Sequence, residues 1–178
     1  MRYFVEDIED QLIATLKAAP GVTDAVQIDV NTEVRPALFT QQSYIDNVLP
    51  KPPFIFIEYR GKSTDDKSRD TAGQVYEHTL RFRFYIGGQS LRSKKDIQRQ
   101  NWGAYQLLRL VYDNIHGKQP LPETLSSVIP NLSGVDSTAT EFNCLSPFLE
   151  AGGTDETILV NLPSILVYAT DYTVRLLA

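Results

Sequence analysis

The chain has 178 residues, with 17 basic and 22 acidic side chains and a formal net charge of −5, a balance that opposes nonspecific attachment to a phosphate backbone. That length supports one domain burying roughly 70% of its unfolded surface without disulfide staples, and the lone cysteine, Cys144, has no internal partner, which suits a reducing compartment. The opening MRYFVEDIEDQL carries acids where a secretion signal needs an apolar run, and the apolar runs stay well below the roughly 20 residues of a spanning helix, so a non-secreted chain without membrane spans is expected.

From Phe4 to Ala19, the residues Phe4, Ile8, Leu12 and Leu16 recur every four positions, widened by Val5 and Ile13. This is the stripe of an amphipathic helix that must be covered, and Pro20-Gly21 stops it. Ala25 to Val30 reads as a short strand. The proline-bracketed stretch 31–52 has room for a short helix near Gln41 to Val48. Phe54 to Tyr59, FIFIEY, reads as a buried strand.

A polar, charged connection with no apolar anchor follows from Gly61 to Gly73, the kind of segment that is often mobile and functional. It leads into QVYEHTLRFRFYI, Gln74 to Ile86, the strongest pattern in the chain. Tyr76, His78, Leu80, Phe82, Phe84 and Ile86 share one strand face, and Glu77, Thr79, Arg81 and Arg83 share the other. One face therefore sits on a core, and the other meets water or another subunit. The simplest topology is an extended antiparallel hairpin ending at Gly87-Gly88.

The main helix is expected between Lys94 and His116, with Ile97, Asn101, Ala104, Tyr105, Leu108, Val111, Tyr112 and Ile115 on one face and Gly117 as its stop. Residues 120–134 are turn-rich, and Val135 to Asn143 and Leu159 to Leu162 read as weaker strands around the Ala151-Gly152-Gly153 turn. The chain closes on a strand from Ile165 to Leu177, with Leu166, Tyr168, Tyr172, Val174 and Leu176 toward a core. The fold class is α/β (α+β), with a mixed, largely antiparallel sheet and two main amphipathic helices packed on one face. It forms a single domain over 1–178 with a turn-rich elaboration at about 118–157.

No motif in the chain carries chemistry. Gly61-Lys62-Ser63 imitates the end of a phosphate-binding loop, but Phe56 stands where the first glycine belongs, and the following TDDKSRD lacks helical periodicity. Gly87-Gly88 and Gly152-Gly153 read as turns. His78, inside an apolar strand face, reads as a core or interface histidine, and His116 as a favourable charge at a helix C-terminus. Asp65, Asp66 and Asp70 lack the full ligand pattern of a calcium loop. Cys144 reads as a small hydrophobe and Trp102 as a core residue at a helix edge. Asn131-Leu132-Ser133 is formally a glycosylation sequon, with no secretion signal to bring it into use. No catalytic, cofactor-binding or metal residues are assigned. The basic run Arg81, Arg83, Arg92, Lys94, Lys95 and Arg99 is better matched by solvation or an acidic protein partner than by direct nucleic-acid binding, because the nearby Phe82 and Phe84 read as core.

The order of amphipathic helix, FIFIEY strand, charged connection, QVYEHTLRFRFYI strand and WGAYQLLRLVYDNIHG helix resembles the Mu-like small phage tail proteins encoded between the head and sheath genes, which are assigned as tail terminators or tail completion proteins. The resemblance covers most of the chain and is strongest at Ile8 to Leu16, Pro53 to Gly61, Phe82 to Ile86 and Gly103 to Gly117. It implies a non-enzymatic virion assembly protein that self-associates into a ring, usually a hexamer. Such a ring caps the tail tube and joins it to the head or neck, in the host cytoplasm during assembly and then in the virion. The region 118–157 is larger than a minimal terminator needs, so a neck or head-tail adaptor, or a general interaction scaffold, is the alternative. The assembly interface is assigned to Lys62, Asp65, Asp66, Lys67, Arg69 and Asp70 of the connection, expected to face the lumen or tube, and to Glu77, Arg81 and Arg83 of the long strand.

Overall fold

A computed structural model describes residues 2–65, 77–89, 102–118, 147–151, 157–162 and 165–177. Its strands are β1 (Gln27–Val30), β2 (Phe54–Asp65), β3 (Glu77–Gly88), β4 (Leu149–Glu150), β5 (Thr157–Asn161) and β6 (Leu166–Leu177). They form one sheet in the order β1-β2-β3-β6-β4, and β5 also pairs with β6. Among the described strands, β1 pairs with β2 in parallel and the other pairings are antiparallel, with an isolated parallel bridge between Gln89 and Gly103. Helices α1 (Arg2–Lys17), α2 (Gln42–Asn47) and α3 (Ala104–Ile115), with a 3-10 turn at Pro36–Leu38, complete a mixed α+β fold.

Alternation on the strands sorts the apolar side chains to two faces. On the first, Ile55 and Ile57 of β2, Leu80, Phe82, Phe84 and Ile86 of β3, and Tyr168, Tyr172 and Val174 of β6 lie under Ile8, Leu12 and Leu16 of α1 and Leu107 and Val111 of α3. Phe84 meets Tyr172 edge-on at 5.3 Å, an arrangement that adds to simple burial. The face periodicity expected for α1, β3 and β6 matches this layer.

The helix α3 differs from expectation in its start and its rotation. It begins at Ala104, after Gly103 in an extended conformation (φ −77, ψ 157) whose N–H donates to Gln106 Oε1 at 3.2 Å. Residues 90–101, including Ile97 and Asn101, lie outside the described residues. Its buried face is Ala104, Leu107, Leu108, Leu110, Val111 and Ile115, while Tyr105 and Tyr112 remain 63% and 45% exposed. The apolar stripe spans more than half the helix circumference. Contact with β3 and β6, rather than spacing, selects which flank is covered.

The opposite face of the sheet was expected to be polar. Instead, it carries a second core. Phe54 and Phe56 of β2, Tyr85 of β3, and Val167 and Ala169 of β6 pack under Val34, Tyr44 and Leu49 of the segment containing α2. The Tyr44 hydroxyl donates to the carbonyl of Glu33 and accepts from the Arg35 N–H at 2.8 Å, pinning that segment by its own backbone.

The strand β2 also runs further than its apolar run suggested. Pairing with β3 slips between Tyr59 and Lys62 and then resumes to Asp65↔Glu77. Gly61, at φ +103, absorbs the extra residue of this bulge, a conformation that L side chains adopt only with strain. Gly61 to Asp65, expected as an unanchored connection, is therefore strand. Gly61-Lys62-Ser63 belongs to a bulged sheet arm, not to a phosphate-binding loop. From the helix layer, Glu9 Oε1 accepts the Tyr59 N–H at 3.2 Å, satisfying a backbone donor at the bulge.

Gly87 and Gly88, expected as a turn, are strand residues paired with Val167 and Leu166. A Cβ on Gly87 would lie 2.2 Å from the Phe54 ring, and one on Gly88 would lie 2.2 Å from the Ala104 backbone nitrogen. The missing side chains let the second core close on one face and the N-terminus of α3 close on the other. Gly88→Val forces backbone apart at that contact, and a loss of about 1–3 kcal/mol is expected by urea unfolding. An unchanged midpoint would show that α3 does not rest on β3 there.

Candidate functional site

Among the described residues, the second face of the sheet is apolar and covered at one end but charged and open at the other. The register places Arg83 opposite Asp171, Arg81 opposite Thr173 and Thr79 opposite Arg175, with Glu58 of β2 on the other flank of Arg83. Directly opposed residues project from the same face. Arg60 joins this set through Glu58, its Nη1 lying 3.1 Å from Glu58 Oε1. Arg60, Arg81, Arg83 and Arg175 thus share the half-sheet with Glu58 and Asp171, and the register sets the backbone positions of Asp65 and Glu77 at the far end of the same face.

The two acids are held within this face. Arg83 Nε donates to Asp171 Oδ1 at 2.6 Å, and its Nη2 donates to Oδ2 at 2.9 Å, a bidentate pair over a carboxylate that is 2% exposed. That hydrogen bond raises the Arg83 pKa further above its ordinary value. The Tyr85 hydroxyl donates to Glu58 Oε2 at 2.7 Å. Burial first, and then the Glu58 hydrogen bond and charge, push the tyrosine up to about 12. Tyr85 is the seam where the apolar half ends and the charged half begins. Beyond it, Arg81 and Arg175 are exposed.

The residues expected at an assembly interface are divided by this register. Arg81 and Arg83 share the open face, but Arg83 is engaged by Asp171. Lys62 is aligned with Leu80, on the helix side of the sheet, and burial first, then the Lys62 charge, lowers the His78 pKa from its ordinary value. Asp65 and Glu77 are backbone partners at the end of the hairpin arm. Asp66, Lys67, Arg69 and Asp70 lie outside the described residues. The sequence reading missed Glu58, Arg60, Asp171 and Arg175. Their membership depends on pairing between strands up to 88 residues apart, which no local pattern encodes.

An acidic surface occupies the opposite side of the molecule. Glu6 and Asp10 of α1 are exposed, four residues apart on the outside of the helix layer. Between them, Glu9 is turned inward to Tyr59. Burial raises the Glu9 pKa; the Tyr59 hydrogen bond lowers it, and the charges of Asp10 and then Glu6 raise it again.

The other residues singled out from the sequence have structural settings. His78 is 9% exposed within β3. His116 caps the end of α3 and stacks on Tyr112 at 4.6 Å. Trp102 packs partly buried against the helix-side core. A cavity of about 550 Å³ opens beside Thr32, Arg35, Leu38, Tyr44 and Val48. Among the described residues, no group of three or more His, Cys, Asp or Glu side chains is placed to hold a metal ion, and no helix is long and apolar enough to cross a membrane. Cys144, Asn131 and the Val135 to Asn143 stretch lie outside the described residues. No protein-family model matches the chain, and no curated protein matches it.

Two outcomes are expected from this geometry. Arg83→Met strands the buried Asp171 carboxylate and costs about 3 kcal/mol, whereas Arg83→Met with Asp171→Leu regains most of that loss. A double-mutant cycle from urea unfolding measures the difference, and equal losses in the single and double variants would remove the pair from the fold's support. Glu9 has a folded pKa above its unfolded one, so protonation favours the fold and this contribution fades as pH rises through the folded pKa. Glu9→Gln keeps the acceptor for Tyr59 without the buried charge. Its thermal midpoint should therefore gain on the parent as pH is raised from 4 toward 7, starting near the ordinary carboxylate value of about 4.3. A constant gap between the two proteins would contradict the assigned shift.

Proposed function

We propose that this chain is a non-enzymatic virion assembly protein that forms a ring, caps the phage tail tube and joins it to the head or neck. One observation carries the reading from the geometry: among the described residues, no helix closes half of one sheet face, and that half is charged, with Arg81 and Arg175 exposed on it. Arginine is a donor at every physiological pH, so this array is suited to holding carboxylates and unsuited to general base chemistry. A flat, charged sheet surface orients a protein partner and steers its approach. The order of helices and strands adds the phage resemblance to this physical reading. Its strongest segments coincide with α1, the start of β2, the centre of β3 and α3.

The neck-adaptor reading uses the same surface without requiring a closed ring. Electron microscopy of purified tail tubes incubated with the protein separates the two. Rings at one tube end, with further tube growth suppressed and a narrowed length distribution, are the outcome expected of a terminator. Bare ends on tubes that still polymerise would overturn tube capping and favour the adaptor.

A further inference from the structure

We draw no further inference here: the strongest candidate, the cavity of about 550 Å³ beside Arg35, Tyr44 and Val48 in the segment 31–52, has its buried hydroxyl, that of Tyr44, already bonded to the Glu33 carbonyl and the Arg35 N–H, and nothing in the structure shows what fills it.

Discussion

Pairing between β3 and β6 runs unbroken from Glu77↔Leu177 to Gly88↔Leu166, and nearly every other placement in the molecule follows from that register. Strand side chains alternate with a period of two, so a slip of one residue in β3 would send Phe82 and Phe84 away from the helices and bring Arg83 beneath them, parted from Asp171. Neither exchange is tolerable: the first exposes large aromatics, and the second buries an unpaired charge among apolar side chains. Burial on the helix face thus locks the register. The same lock brings the Arg83 guanidinium over Asp171 on the reverse face.

The helix layer is joined to this sheet by two contacts of different character. Near the start of α3, contact is steric, because Gly88 removes a side chain where the Ala104 backbone closes in. At α1, contact is polar, because Glu9 reaches the backbone of the bulged strand at Tyr59. The bulge itself turns on Gly61, so a local backbone irregularity is tied to a helix distant in sequence. An unpaired N–H buried at that kink would weaken the arm, and Glu9 removes this penalty at the expense of holding a carboxylate in a poorly solvated place.

Half-coverage of the second face by the described residues is what gives the molecule a candidate surface. The segment 31–52 closes the end built from Phe54, Phe56, Tyr85 and Val167, and Tyr85 turns its hydroxyl toward Glu58 where that coverage ends. Past the seam, the strands keep their pairing but carry charged residues and threonine, with Arg83 set between Glu58 and Asp171.

The sequence alone determined the helix-side core: the four-residue recurrence in α1 and the alternation in β3 and β6 are local signals, and each names its own buried face. It also located β1, the short helix α2 and the hairpin between β2 and β3. The rotation of α3 was not legible, because its apolar stripe was wide enough to be covered on either flank. Nor was the second core, because Tyr85, Val167 and Ala169 are too sparse along their strands to mark a face until pairing lines them up. Lys62, Arg81 and Arg83 looked equivalent as charges in one stretch, yet the bulge at Gly61 and the sheet register set Lys62 on one face and both arginines on the other, with Arg83 bound to a carboxylate 88 residues away. Periodicity records what each strand buries, while only tertiary pairing decides which charges from distant strands share a surface.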